Sequence, residues 1–367
     1  MKKILPLLFF FAVFLYNGSA QAEPAAAAVI EAETGRVLYA MNETQRLPMA
    51  STTKVMTALV AIENGNLDDQ VIAGENAYGV SGTSIYLEKG ESLTLEQMLY
   101  GLMLASGNDA AVAIAEHIGG SIAGFCEMMN ARAASLGCLD THYVTPHGLP
   151  AENHYTTALD LCRIAQAAMR EPFFRQVVST QRATIPWENH DYDRVLTNKN
   201  RLLSTYAGAL GIKTGYTKAA GRCLVFAAER EGMTLIGAVL NCSDWFDASA
   251  ALLDQTFAAY HLYTALREGE NVHLLPVQGG VMDDVEVITA HALQVPLAEG
   301  ETAELRFSWP EILDAGFEKG AELGTASLVV NGEILATVPL IAAEGVPEST
   351  FLTGLDDARR NWLLLAQ

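Results

Sequence analysis

Residues Ala50-Ser51-Thr52-Thr53-Lys54 head an apolar stretch, Val55 to Ile62, that stops at Asn64-Gly65. A good helix-forming segment with a glycine stop reads as a helix. Residues three apart share one helix face, so Ser51 and Lys54 can touch. Serine is a poor nucleophile unless a neighbour takes its proton. Lysine serves only when neutral, a form favoured by burial near another cation or at the positive end of a helix. A fold that uses this pair must therefore bury the lysine and leave the serine open.

Two later stretches carry related chemistry. Leu95, Met98, Leu99, Leu102 and Met103 recur at helical spacing and deliver Ser106-Gly107-Asn108 to the helix end, where a hydroxyl and an amide can project into one cleft. Lys213-Thr214-Gly215 ends a strand that begins at Leu210. A charge, a hydroxyl and a glycine that admits close backbone approach suit a carboxylate lying against a strand edge. Taken singly, these are also what a helix-cap cluster and a solubilised edge strand look like. In this order they match S-x-x-K, S-x-N and K-T-G.

The wording around the motifs extends the match. Leu47 to Leu59, Leu104 to Ala111, Gly211 to Thr217, the strand-turn-strand at Val29 to Tyr39 and the loop Pro146-His147-Gly148-Leu149 resemble the low-molecular-weight D-alanyl-D-alanine carboxypeptidases, a group of penicillin-binding proteins. The wording is similar to the branch found in sporulating Gram-positive bacteria. The resemblance implies an α/β (α+β) serine β-lactamase/transpeptidase-like domain, an antiparallel sheet flanked by helices, followed by a small all-β sandwich. It implies that Ser51 is acylated by the carbonyl between two terminal D-alanines, with Lys54 as base and Ser106 as proton relay. Asn108 would bind the substrate amide, Lys213 and Thr214 the terminal carboxylate, and the N–H groups of Ser51 and Tyr216, beyond Gly215, the oxyanion. The implied partners are the peptidoglycan stem peptide and β-lactams, with no metal or other cofactor. One departure stands out: related enzymes often carry a carboxylate-binding Arg after K-T-G, and Cys242-Ser243-Asp244-Trp245 offers none. Arg182 and Arg222 are the candidates to replace it.

The ends set the expected location. Lys2-Lys3, an apolar run from Ile4 to Tyr16, and Ala20-Gln21-Ala22 read as a secretory signal peptide over 1–22, its run too short to span a bilayer. Export follows, to the medium or the outer face of the cytoplasmic membrane. Without the leader, 21 basic face 43 acidic residues, a formal charge of −22, which excludes nucleic acid as a partner. The expected division is a catalytic domain over 23–266, an all-β domain over 267–346 and an amphipathic helix over 347–367. On that helix Phe351, Leu355, Ala358, Trp362 and Leu365 share a face away from Asp356, Asp357, Arg360 and Asn361, which suits weak in-plane membrane association.

Between the motifs, Phe125 to Leu136 and Thr157 to Met169 read as helices, the second opened by a Thr157/Asp160 capping box. Gln181 to Trp187 reads as extended, Asp191 to Tyr206 as polar loop, and Ala248 to Tyr263 as a closing helix. In the all-β part, Asn331-Gly332 between two apolar runs is a strong hairpin signal. Cys126, Cys138, Cys162, Cys223 and Cys242 are odd in number without CxxC spacing and read as small core residues, although export would permit a disulfide. His142, His147 and His154 fit no standard metal spacing and read as hydrogen-bonding loop residues. A β-lactamase shares all three motifs but needs a deacylating carboxylate, for which Glu152 and Glu171 lie in the right interval. A catalytically silent wall-binding protein has no chemical need for Ser51 and Lys54.

Overall fold

The computed structural model describes residues 23–350. The expected leader, and residues 351–367 of the expected C-terminal helix, lie outside the described residues. Strands β1 (Ala26–Glu31) and β2 (Val37–Met41) form the opening hairpin. The Glu31 carboxylate accepts the N–H groups of Glu33 and Thr34 across its turn, and Gly35 takes φ +70°. Ser51 then lies on a 3-10 turn, Ala50–Thr53, and not on the α-helix itself, which is α1 (Lys54–Asn64). The tighter turn still sets residues i and i+3 above one another.

A small ladder of β3 (Gln70–Ile72) and β4 (Ser92–Thr94) precedes α2 (Leu95–Tyr100), which opens on a Thr94/Gln97 capping box. The expected continuous helix widens after Tyr100 into a π-helical turn, Gly101–Ala105. Such turns are rare and often lie at functional sites. Next come the buried α3 (Asn108–Gly119), α4 (Ile122–Ser135), α5 (Ala158–Arg170) and the short α6 (Pro172–Ser179). Only half of the expected capping box on α5 forms. Thr157 accepts the Asp160 N–H, while the Asp160 carboxylate turns to Asp140 N–H and the Thr141 hydroxyl.

The stretch from Asp191 to Tyr206 is not all loop. It contains β6 (Arg194–Thr197), paired with β5 (Arg182–Ile185), and the single turn α7 (Leu202–Thr205). Strand β5 falls within the stretch expected to be extended, whereas β6 lies in the expected loop, because four residues among polar neighbours leave little alternation to read. Strands β7 (Ala209–Thr217), β8 (Gly221–Arg230) and β9 (Met233–Leu240) follow, then α8 (Trp245–Ala259). That helix starts and stops earlier than expected. Tyr260 leaves it in extended conformation, as its alternating aromatic and polar neighbours favour.

The five long strands make one antiparallel sheet in the order β2-β1-β9-β8-β7. The first strand thus pairs with the last of the five in the chain, Ala26 opposite Leu240. Ala28, Ile30, Val225 and Ala238 face the large helical layer containing α1 and α5, while Ala27, Val29, Phe226 and Val239 face α8. Burial on both faces explains why these strands read as nearly unbroken apolar runs. Lys213 and Thr214 sit on the edge strand β7, which borders the 3-10 turn of Ser51.

The β-rich part comprises β10 (Tyr260–Leu266), β11 (Asn271–Gln278), β12 (Asp284–Thr289), β13 (Leu293–Ala298), β14 (Ala303–Ser308), β15 (Leu313–Asp314), β16 (Glu322–Val330) and β17 (Glu333–Ala342). A six-stranded sheet, β14-β16-β17-β12-β11-β15, and the β10–β13 pair enclose a separate core that includes Leu275, Val287, Val295, Leu328 and Leu340. Asn331 and Gly332, both at positive φ, turn the tight β16–β17 hairpin. Arg36 ties the two parts together, donating to Pro296 O at 2.5 Å and to the Glu301 carboxylate at 2.5 Å. That bond pulls the Glu301 carboxyl down to about 2. All five cysteines are buried, and burial raises their thiol pKa values. No described helix is long and apolar enough to cross a membrane.

The Phe226 ring lies over Gly237 on the neighbouring strand, and a Cβ there would stand 2.3 Å from Phe226 Cζ. Gly237→Ala is therefore expected to destabilise the catalytic part by about 1–3 kcal/mol. Denaturant unfolding of the variant checks this, and an unchanged midpoint would contradict the packing.

Candidate active site

The three motifs converge on one cleft of about 360 Å³, whose lining includes Ser51, Ser106, Asn108, Thr214, Gly215 and Tyr216. Lys54 lies under the floor, fully buried. Its Nζ is 3.1 Å from Ser51 Oγ, 2.7 Å from Asn108 Oδ1 and 2.9 Å from His147 O. A neutral amine has two N–H donors and one lone pair. The two carbonyl oxygens take the donors, which leaves the lone pair directed at the serine hydroxyl. Burial is the main cause that holds the Lys54 ammonium far below its usual range. The charges of Lys213 and Lys199 add to it, and Asp109 partly offsets them.

Strained backbone fixes both serines. Ala50, just before Ser51, has φ +50°, and Ser106 has φ +64° in the left-handed region. The turn at Ala50 is buttressed from below. His154 Nδ1 accepts the Val144 N–H, so its Nε2–H donates to Thr53 Oγ1 at 2.9 Å, and Thr53 Oγ1 in turn donates to Ala50 O at 2.8 Å. Ser106 O accepts from Thr83 Oγ1, and Asn108 N–H donates to Thr83 O at 2.7 Å. Asn108 Nδ2 donates one hydrogen to Ser81 O, at 2.6 Å, and keeps the other. Asp109 clamps the same loop, accepting the backbone N–H groups of Ile85 and Leu87.

Close approach explains the glycines. A Cβ at Gly215 would lie 2.9 Å from Ser51 N, and one at Gly148 only 1.9 Å from Ala50 O. Any other residue at these positions would push the K-T-G strand or the His147 loop away from Ser51. Lys213 is buried beside Thr214, donating to its carbonyl at 3.2 Å, and burial together with Lys199 brings its pKa down to about 7.

Sequence reasoning missed Lys199, which lines the cleft and whose own pKa is lowered by desolvation. Asn198 Nδ2 reaches Val178 O and Thr180 O, and Asn200 Oδ1 accepts the Leu202 N–H, so the loop that carries Lys199 is fixed on both sides. A lysine between two asparagines carries no local signal that separates it from a solvated loop. The other two candidate cations are not in the cleft. Arg182 is exposed on β5, and Arg222 donates to Ser243 O at 2.7 Å beside a neighbouring pocket. Glu152 and Glu171 are absent from the lining, which holds no carboxylate among the described residues. His142 and His147 make loop hydrogen bonds, to Asn153 O and from Leu149 N–H. A larger cleft of about 610 Å³ between the two parts of the chain is lined by Glu31, Thr34 and His291 among others; there the Thr34 hydroxyl donates to the Glu31 carboxylate at 2.6 Å, a contact within the β1–β2 turn, whose N–H groups share the same carboxylate.

Comparison with known proteins follows the same division. Residues 16–244 match the family described as D-alanyl-D-alanine carboxypeptidase, and residues 260–348 match the penicillin-binding protein 5 C-terminal domain. The chain is 34% identical over 351 residues to D-alanyl-D-alanine carboxypeptidase DacF of Bacillus subtilis, spanning 93% of this chain and 90% of that protein. Among solved structures, penicillin-binding protein 5 from Haemophilus influenzae superposes with a TM-score of 0.71 at 27% identity, covering 89% of this chain and 98% of that one. The D-alanyl-D-alanine carboxypeptidase from Mycobacterium tuberculosis gives a TM-score of 0.61 at 36% identity, over 66% of this chain and 95% of its own.

The buttress makes a prediction about acid stability. Burial holds His154 at about 4, well under its usual 6.5, so the unfolded chain binds more protons between those values. Stability is expected to be full above about pH 6.5 and to fall by about 3 kcal/mol from this residue as pH drops from there to about 4. Denaturant midpoints measured from pH 7 to pH 4 should show a shallower slope in His154→Gln than in the wild type. Equal slopes would remove His154 from this role.

Proposed function

The chain belongs to the D-alanyl-D-alanine carboxypeptidase family of penicillin-binding proteins, and from that premise we propose that Ser51, Lys54 and Ser106 carry the reaction. The protein is a serine-type D-Ala-D-Ala carboxypeptidase of peptidoglycan metabolism. The observation that carries the site assignment is the Lys54 amine, dry and held by two carbonyl oxygens, with its lone pair toward Ser51.

Ser51 Oγ attacks the carbonyl between the two terminal D-alanines as its proton passes to Lys54 Nζ. The oxyanion sits between the N–H groups of Ser51 and Tyr216, a pairing supported by how close Gly215 lets β7 come to Ser51. Collapse breaks the C–N bond, and the leaving D-alanine amine takes the proton from Lys54 by way of the Ser106 hydroxyl. Asn108 steadies Lys54 and offers its remaining N–H to the substrate amide. Thr214, Lys213 and Lys199 receive the terminal carboxylate, Lys199 standing in for the Arg that the 242–245 segment lacks. Water then attacks the ester, with Lys54 as base. A cleft lining without a carboxylate favours slow release of β-lactams and so a carboxypeptidase over a β-lactamase. Such a substrate places the enzyme outside the cytoplasm. Residues 1–22 as a leader cleaved after Ala22 and 347–367 as an in-plane membrane anchor complete the proposal.

Labelled penicillin should mark the wild type and spare Ser51→Ala, and release of D-alanine from a D-Ala-D-Ala pentapeptide should be lost in Ser51→Ala and Lys54→Arg. Because the Lys54 pKa is lowered, the base is neutral above that value and kcat/KM should fall on the acid side as pH drops through it. Lys213, at about 7 in the empty enzyme, loses its charge as pH rises, so Lys213→Arg should flatten the alkaline limb and leave the acid limb in place. A flat acid side would exclude Lys54 as base. For the anchor, removing residues 350–367 should free the mature enzyme from lipid vesicles with peptide hydrolysis intact. If the intact chain never sediments with vesicles, the segment is no anchor.

A further inference from the structure

Beyond the cleft, one surface has the composition of a ligand site. The tip of the β5–β6 hairpin reads Trp187-Glu188-Asn189-His190-Asp191-Tyr192-Asp193. His190 stacks on Trp187 at 4.1 Å, and Tyr192 meets both rings edge-on at 5.6 Å. This cluster has a rigid pedestal. Arg194, buried and paired bidentately with buried Glu91, lies over the Trp187 ring at 4.9 Å. Arg194 also donates to Tyr86 O at 3.1 Å, which links the hairpin to the 81–87 loop bordering Ser106 and Asn108.

Tyr86 is itself unusual. It holds φ +61°, a strained conformation for a bulky residue, yet its side chain is 72% exposed. Asp109 on one side and Arg194 on the other hold the backbone there. Tyr192 is 63% exposed. Strain that presents an aromatic ring to water, tied by two charged residues to the catalytic loop, has no use in packing.

We infer that Tyr86, His190 and Tyr192 form a subsite for the amino sugar from which the stem peptide hangs. The inference rests on the carboxypeptidase reading above. Ring faces stack on the C–H faces of a sugar, and the interleaved Glu188, Asp191 and Asp193 accept its hydroxyl protons. These three carboxylates are exposed and make no ion pair among the described residues, so they repel anionic ligands and are open to accept the hydroxyl protons of a polyol stacked on the rings. The reach agrees. Strand β6 runs from Arg194, under the cluster, to within two residues of cleft-lining Lys199, at most about 17 Å at the usual rise per residue. Four extended residues between the scissile bond and the sugar span about 14 Å.

The test compares a bare pentapeptide with the same pentapeptide on its N-acetylglucosaminyl-N-acetylmuramic acid disaccharide, using the full mature chain. Wild type should favour the sugar-linked substrate in kcat/KM by about tenfold, an advantage that His190→Ala/Tyr192→Ala loses while turning over the bare peptide as before. Equal turnover of the two substrates by the wild type, or equal loss on both in the variant, overturns the subsite. Titration with the free disaccharide, followed by the aromatic resonances of His190 and Tyr192, gives a readout independent of catalysis. Absence of any shift there overturns the subsite even with hydrolysis intact, whereas shifts without hydrolysis of either substrate would count against the carboxypeptidase reading alone.

Discussion

Three lysines share one poorly solvated space, and the site depends on that arrangement. Lys54 and Lys213 are buried and Lys199 borders the same cleft, so each disfavours the charge of its neighbours while desolvation disfavours all three. Charge therefore leaves the position with the least water, which is Lys54. The fold has to supply hydrogen-bond acceptors for its two amine hydrogens, and it draws them from distant segments, the α3 start and the His147 loop. Such a cluster costs stability when empty.

Holding that space together requires backbone conformations that isolated segments avoid. Ala50 and Ser106 sit at positive φ beside or at the two serines, and each is locked by partners from another element: His154 through Thr53 in one case, Thr83 in the other. Gly215 and Gly148 serve a different need, since neither strand nor loop could approach the nucleophile with a side chain in the way. Strain and close approach thus occur together where Ser51 must be rigid. The sheet makes this tolerable, because its first and last strands pair and both faces are covered by helices.

The β-rich part is joined to this body through a covalent link at Tyr260 and the Arg36 contacts to Pro296 and Glu301. Its core is separate. None of its described residues lines the Ser51 cleft.

Much of this was legible in the chain. Local pattern fixed the Ser51–Lys54 spacing, the helix after it, the apolar strands around Lys213 and the Asn331-Gly332 turn, because each depends on neighbours within a few residues. Patterning misjudged the π-helical turn before Ser106, the short strand β6 and the end of α8, where tertiary contacts override weak propensity. Lys199 and the His147 carbonyl could not be found at all, since a loop lysine and a backbone oxygen look alike at every position until the fold sets them beside Lys54. Sequence alone determined which groups could react. Only the tertiary structure decided which lysine is driest, which oxygens take its hydrogens and where charge falls, because desolvation and charge repulsion act through space between residues far apart in the chain.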